Sequence, residues 1–514
     1  MQQMIEILDT TLRDGEQTAG VSFNTDEKLA IAQLLLQELK VDRVEVASAR
    51  VSRGESDAFA KICSWAAANG CLDRVEALGF VDKGRSVDWI ASGGGKVVNI
   101  LSKGSSRHLS KQLGKTVQEH ISDIEEVLQM ALDKGLSANL YLEDWSNGIV
   151  DSPEHVFTML DALGKLPIRR FMLPDTLGVL NPWKTEELCS LMCSRYPELR
   201  FDFHAHNDYG LAVANSLAAA RAGISGLHTT VNGLGERSGN ASVASLLASL
   251  NDQLHIANRM DESRLTHVCK YVESISGIRI PDNEPVVGGN VFTQSSGVHA
   301  DGDNKDNLYA NKLLPQRFGR TRTYALGKMS GKANIINNLD KLGIKLTPEQ
   351  VKLVTARVVE LGDKKEAMTA EDLPFIVADV LKSASAATVD NIHVVNYSLQ
   401  LARGMRPVAI LKLSIHGREY EASAPGDGQY DAFMKALWSI YTSLGKDHPV
   451  LTDYQVSIPP GGKTDALVAT TITWKGPNGE FKTRGIDSDQ TEAAIKATVK
   501  MLNIVENINL SELK

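Results

Sequence analysis

Eight short runs rich in β-branched residues, each followed by a longer amphipathic run, fill the chain up to about Ile275. They are Met4–Asp9, Arg43–Ala47, Arg74–Gly79, Lys96–Ser102, Ala138–Glu143, Arg169–Leu173, Arg200–His206 and Leu227–Asn232. Parallel strands need crossovers of helical length, and eight such units in succession predict a closed (β/α)₈ barrel. The run Thr25–Lys40 shows what the crossovers look like. Asn24 is placed to cap it, Glu27 follows three residues on, and Leu29, Leu35, Leu36 and Leu39 form an apolar stripe. An open doubly wound sheet would carry a Gly-rich phosphate loop after its first strand. TTLRDGEQTAG does not match one, so the barrel is the expected fold.

A chain of 514 residues is too long for one core, and the pattern changes twice after the barrel. From 276 to 385, GGNVFTQSSGVHADGDNKDNLYANKLLPQRFGR has little periodicity, then helices are expected at Ala333–Leu342, Thr347–Leu361 and Ala370–Leu381. SASAATVD near Ser383–Asp390 reads as a boundary. From 386 to 514 an α+β domain is expected, strands then helix, twice over. Glu419 aligns with Glu480, Tyr420 with Phe481, Asp431 with Glu492, Ala432 with Ala493, Lys435 with Lys496 and Ala436 with Ala497. This is read as an internal duplication of a βββα unit, suited to ligand binding or dimer formation.

Composition excludes several functions. The net charge of −8 disfavours nucleic acid as a main partner, because a phosphate-binding surface needs a basic excess. A local basic pocket remains compatible with it. No run is apolar for the length of a membrane span. MQQMIEILDTTLRDGEQ leads straight into a strand with no signal-peptide pattern. Five cysteines, odd in number, read as reduced thiols of a cytoplasmic protein. Cys189 and Cys193 fall at helical spacing with no histidine nearby, which points to core packing rather than zinc.

FDFHAHND carries the sharpest chemical signal. Residues two apart on a strand point to one side, so His204 and His206 project together at the C-terminal end of the seventh strand. Barrel active sites are built at that end. Two imidazoles make half of a divalent-metal site, or a pair of satisfied loop histidines. Asp14 follows the first strand, which lies close to the seventh around a closed barrel of eight. One carboxylate and two histidines suit Mn²⁺, Mg²⁺ or Zn²⁺. Asn240 is placed to add an amide oxygen. Arg13 is placed to meet a carboxylate or a developing oxyanion, or to form an ordinary ion pair. Glu143, Asp175 and Thr176 also lie at strand ends, where packing does not explain them. Glu45 in VEVAS is read as a buried structural partner.

Together DTTLRDGEQT, HAHND, NGLGERSGN and GVHADG resemble the acetyl-CoA-dependent Claisen-type synthases that make 2-isopropylmalate, citramalate and homocitrate. The resemblance covers essentially the whole chain. Their barrel class is often named for an Asp-Arg-Glu motif, whose first residue differs here, the segment reading Leu12-Arg13-Asp14-Gly15-Glu16. The resemblance implies that Asp14, His204 and His206, with Asn240 at or near them, hold a divalent metal that chelates a 2-keto acid. It implies that Arg13 stabilises developing charge, Thr176 binds the substrate carboxylate, and Glu143 orients the site and assists proton transfer. His299 matches the histidine proposed to act in deprotonating the acetyl methyl group of acetyl-CoA, with Tyr309 near it. In the family that segment reaches over the barrel of the partner subunit, which implies a homodimer. The C-terminal domain resembles the family's feedback domain and implies an amino-acid effector, isoleucine or leucine.

Leu78, Leu101 and Tyr141 resemble the pyruvate pocket of bacterial citramalate synthases, as do the stretches VDRVEVASARVS, YLEDWSNG and LPQRFGR. Leu101 and Tyr141 would fill the space beside C3 of the keto acid, where pyruvate has only a methyl group. The two further carbons of 2-ketoisovalerate would overpack it, at roughly 1–3 kcal/mol. If the three are ordinary core, the chain is a 2-isopropylmalate synthase instead. Two other classes predict different behaviour. A metal-dependent aldolase or carboxyl transferase would not need the GVHADG segment. An amino-acid-binding protein with an inactive barrel would have lost residues such as Arg13, Asp14 and His299, which are present.

Overall fold

The computed structural model describes residues 4–256, 258–363, 368–382, 392–457, 468–476 and 479–512. The β-branched runs form β1 (Glu6–Asp9), β2 (Arg43–Ser48), β3 (Val75–Phe80), β4 (Val97–Lys103), β5 (Ser137–Glu143), β6 (Ile168–Asp175), β7 (Phe201–Ala205) and β8 (Gly226–Thr229). Each pairs in parallel with its successor. β8 returns to β1 in register from Glu6 opposite Gly226 to Asp9 opposite Thr229, which closes the barrel and excludes the open sheet. The eighth strand stops short of the expected Asn232. The chain turns there instead, with Asn232 at φ 56°.

The crossover after β1 begins as expected. Asn24 accepts from the backbone N–H groups of Asp26 and Glu27, and Glu27 accepts from that of Asn24, a complete capping box. The α-helix spans Thr25–Gln33, and Leu34–Leu39 then widens into a π-helix that ends on Lys40 at φ 63°. Leu35, Leu36 and Leu39 are buried there.

Strand alternation sorts the barrel's side chains into two sets. Val44 and Val46, Val98 and Ile100, Leu140 and Leu142, and Phe171 and Leu173 belong to the large apolar core. The alternate positions carry Arg43 and Glu45, Glu76, Asn99, Asn139, Arg170, Asp202 and His204, and His228, all buried. The interior of this barrel is therefore largely polar. Its apolar part is a small separate cluster of Leu8, Leu78, Tyr141 and Met172, with Leu101 packed against it. Cys189 and Cys193 lie in the helix Pro182–Arg195, Cys189 inside the core.

The chain divides into two compact units, residues 1–292 with 310–321, and residues 293–309 with 322–514. In the second, the expected helices appear as Lys332–Lys341, Pro348–Asp363 and Leu373–Lys382. They share a core that includes Ile335, Leu339, Val354 and Val358. A further helix, Gly297–Asn304, lies in the stretch whose composition showed no period. The boundary at Ser383–Asp390 lies outside the described residues.

The duplication is structural. β9 (Ile392–Gln400), β10 (Val408–Ile415) and β11 (Arg418–Pro425) form one antiparallel sheet, followed by the helix Gln429–Ser443. β12 (Val450–Ser457), β13 (Val468–Gly476) and β14 (Gly479–Asp487) form another, followed by the helix Gln490–Glu512. Glu419 and Glu480 are each second in their strand, and Asp431 and Glu492 each third in their helix. Both copies contribute to one core, with Leu411, Phe433 and Leu437 beside Ile472, Trp474 and Ile495. Among the described residues no helix is long and apolar enough to cross a membrane.

Candidate active site

The loop after β1 and the end of β7 bring Asp14, His204 and His206 together at the C-terminal mouth of the barrel. Asp14 Oδ2 lies 3.3 Å from His204 Nε2, which lies 3.4 Å from His206 Nε2. The three donor atoms all fall within 4.8 Å of one another, and all three residues are buried. Burial pushes the His206 imidazole down to about 4, helped by His204, and it lowers His204 as well. Both rings are thus neutral at physiological pH, the form that binds metal. Burial works to raise the Asp14 carboxyl, but Arg13 and the two histidines hold it well below the usual carboxylate range.

Asn240 joins them from the loop after β8. Its amide donates to Asp14 Oδ1 at 3.3 Å and to the Leu234 carbonyl at 2.9 Å. Gly235, at φ 152°, makes room for it, since a Cβ there would fall 2.2 Å from Asn240 Nδ2. Asn240 Oδ1 and the Nδ1 atoms of both histidines are buried without a hydrogen-bond partner. The two Nε2 atoms lie close to one another and to Asp14, where a bound cation would be met by both imidazoles and the carboxylate. This donor set of one carboxylate, two imidazoles and a nearby amide oxygen fits a divalent metal.

Arg13 is fixed on two edges. Its Nε donates to Glu45 at 2.6 Å and its Nη1 to Asp14 at 2.8 Å. Glu45 is fixed in turn by Thr10 and Asn99, each at 2.8 Å. Burial opposes both charges, but Glu45 and Asp14 keep Arg13 cationic, and Arg13 keeps Glu45 ionised. Arg13 Nη2 reaches the Tyr141 hydroxyl at 3.4 Å. Tyr141 also meets His228 Nδ1 at 3.2 Å, and its ring stands edge-on to that of His204 with centroids 6.4 Å apart. The Leu78–Leu101–Tyr141 cluster therefore adjoins the polar site.

Glu143 ends β5 and forms an ion pair with Lys103 at the end of β4. Thr176 follows β6, and its hydroxyl accepts from the Asp144 backbone N–H at 2.9 Å. Asp175 has a structural explanation, its carboxylate accepting from the backbone N–H groups of Val179 and Leu180 at 3.0 Å each. His299 and Tyr309 belong to the second unit. Both are exposed, and their rings lie 4.2 Å apart. Glu45, read from sequence as structural, turns out to be the direct anchor of Arg13. Lys103 and His228 escaped the sequence reading. Charged or polar residues at alternate positions of otherwise apolar strands, as in RVEV and FDFHAH, are the signal that marks such interior positions.

Residues 4–272 match the HMGL-like family model. The chain belongs to the HMGL-like family. Beyond this HMGL-like barrel, residues 286–366 match the homocitrate synthase post-HMGL domain-like model, and residues 367–506 the LeuA allosteric (dimerisation) domain. A protein of Archaeoglobus fulgidus with the provisional name (R)-citramalate synthase CimA is 32% identical over 98% of this chain and 99% of its own length. A protein of Methanopyrus kandleri with the provisional name 2-isopropylmalate synthase is 33% identical over 98% of both chains. The (R)-citramalate synthase CimA of Methanocaldococcus jannaschii is 30% identical over 98% of this chain and 100% of its own length.

Proposed function

We propose that this HMGL-like enzyme condenses acetyl-CoA with pyruvate, giving (R)-citramalate and free CoA. The observation that carries the choice of keto acid is the apolar wall of Leu78, Leu101 and Tyr141 beside Arg13 and the Asp14–His204–His206 cluster. A wall of that bulk suits a methyl group beside the reacting carbonyl better than a branched chain. The relatives with citramalate synthase names agree with this reading.

Asp14, His204 and His206, with Asn240, would hold a divalent cation, Mn²⁺, Mg²⁺ or Zn²⁺, which as a Lewis acid polarises the keto carbonyl when bound. Arg13 would stabilise the developing alkoxide, with Nε and Nη1 committed to Glu45 and Asp14 and Nη2 only in long contact with the Tyr141 hydroxyl. Thr176 binds the substrate carboxylate. Glu143, held by Lys103, orients the site and assists proton transfer. His299, its ring beside that of Tyr309, takes a proton from the acetyl methyl group, whose carbon then attacks the keto carbon. Water next cleaves the thioester and CoA leaves. In the proposed homodimer the His299 segment serves the barrel of a second copy. The LeuA domain binds an amino-acid effector, isoleucine for this substrate. The enzyme is cytoplasmic.

A second reading is a 2-isopropylmalate synthase acting on 2-ketoisovalerate with leucine as effector. It is favoured by the equally similar relative of that name. CoA release measured separately with pyruvate, 2-ketoisovalerate and 2-oxoglutarate, with and without chelator, decides. Metal-dependent turnover on pyruvate is expected. Preference for 2-ketoisovalerate establishes the second reading, and silence on all three removes both.

A further inference from the structure

The N-terminal end of the barrel opens into a cavity of about 690 Å³ with a strongly cationic lining. This contrasts with the chain's net charge of −8. Its floor is built and rigid. Arg170 Nη1 lies 3.1 Å from Asp202, Arg43 Nη1 lies 3.0 Å from Glu76, and both arginines also pair with Glu6. Its walls and rim are different. Arg74 donates from Nε and Nη2 to the backbone carbonyls of Asp42 and Val41 and makes no ion pair among the described residues. Lys40, Arg169 and Arg259 line the rim, exposed, and make no ion pair among the described residues. The carboxylates of the lining are Glu6, Asp42 and Asp73, and an excess of cations remains after Glu76 and Asp202 behind the floor are counted. Arg43 is 5% exposed, yet its Nε has no hydrogen-bond acceptor. The nearest carboxylate oxygen, on Glu6, is 3.4 Å away.

We propose that this cavity is a binding site for a small polyvalent anion of the phosphate class. Guanidinium forks match the oxygens of a phosphoryl group, and several converging forks select a multiply charged anion over a single carboxylate. The cations come from the starts of separate strands and from the loops beside them, so they converge on one cavity from different elements. The site lies at the end of the barrel opposite Asp14 and His204, and it is independent of the reaction assigned there.

Calorimetric titration of the full-length protein with inorganic pyrophosphate tests this, run in chelator so that metal binding at the other end does not contribute. One saturable site is expected, weakened at least about tenfold between about 0.05 and 0.3 M salt. The double variant Arg169→Ala/Arg259→Ala should bind at least about tenfold more weakly, with its CoA-releasing rate and Tm unchanged. Orthophosphate and a nucleoside diphosphate in parallel distinguish an inorganic from an organic phosphate as the natural ligand. Absence of saturable binding in the wild type overturns the proposal. So does equal binding in the double variant, which would place the anion elsewhere.

Discussion

The two ends of the barrel interior are built from the same strands and do opposite things with charge. β2 sends Arg43 to the N-terminal end and Glu45 to the C-terminal end, and β7 sends Asp202 to one and His204 to the other. At the N-terminal end unlike charges meet. Asp202 lies between Arg43 and Arg170, and Gly226 on the neighbouring strand has no side chain because a Cβ there would fall 2.2 Å from Asp202 Oδ1. At the C-terminal end like groups face one another, with two Nε2 atoms 3.4 Å apart and buried polar atoms of His204, His206 and Asn240 left without partners. The first arrangement pairs its buried charges within the chain and holds the fold, with Arg43 Nε left over at the cavity. The second is favourable once a ligand supplies what the donors lack.

This contrast breaks most visibly in turnover. His204→Ala should lower metal-dependent CoA release by about 10³-fold or more, the several kcal/mol that a Lewis acid supplies. Its unfolding midpoint should hold or rise, because a buried imidazole that crowds His206 is gone. A large loss of stability with activity preserved would reverse the roles of the two ends.

Asp202→Ala makes the converse test. It strands Arg43 and Arg170 in a buried environment, and breaking such a network costs roughly 3–5 kcal/mol. Urea unfolding should show that loss, while the folded fraction keeps a near-normal KM for the keto acid. Should the variant fail to fold, Asp202→Asn, which keeps one acceptor, provides the smaller step. An unchanged midpoint in both would mean that the network is not what holds that end.

Acid sharpens the comparison further. His120 accepts from the backbone N–H of Lys103, the residue paired with Glu143 at the C-terminal end. Only a neutral ring can accept there. Burial, opposed by Asp123 and reinforced by His155, Lys115 and Lys103, lowers His120 from 6.5 to about 4. The unfolded chain takes up a proton below 6.5 that the folded chain refuses. The stability His120 contributes is therefore whole above 6.5 and is lost as the pH falls towards 4, by at most roughly 3 kcal/mol. Asp202 behaves differently. Burial would raise it, but Arg43 and Arg170 hold it well below the usual carboxylate range, so the N-terminal network stays ionised through that window. The stability difference between wild type and His120→Gln, measured by urea unfolding at pH 7, 5.5 and 4.5, should shrink as the pH falls. A difference that does not change with pH would clear His120 of this role.

What could be read from sequence follows the same division. Period-two runs and crossover lengths are local properties, so the eight strands, the Asn24 cap and the repeated βββα unit were legible. His204 and His206 were legible because both lie on one strand end. The network that fixes Arg13 was not, because Glu45, its own partners Thr10 and Asn99, and Tyr141 come from different places in the chain and meet only when the barrel closes. The π-helix at Leu34–Leu39 was illegible for another reason: its leucine stripe also satisfies an ordinary helix over that length. The helix Gly297–Asn304 was hidden by its glycines and aspartates, poor helix formers whose placement depends on tertiary contacts.

The smallest expected effect lies within the C-terminal end, between its polar wall and its apolar wall. Leu101 is the most accessible member of the apolar cluster, whereas Leu78 and Tyr141 are 6% and 2% exposed. Trimming it costs little core packing and opens space beside the proposed keto-acid methyl group. Leu101→Ala should raise kcat/KM for 2-ketoisovalerate relative to pyruvate by about tenfold, the size of one or two methylene contacts. The shift should come from both directions, as pyruvate loses a wall and the larger acid loses a clash. Tyr141→Phe keeps the bulk but strips the hydroxyl from Arg13 Nη2 and His228 Nδ1, so it should lower turnover on both acids and leave their ratio alone. A ratio that moves with the hydroxyl and not with Leu101 would mean that the polar wall sets selectivity. The pocket would then be no argument for pyruvate over its larger homologue.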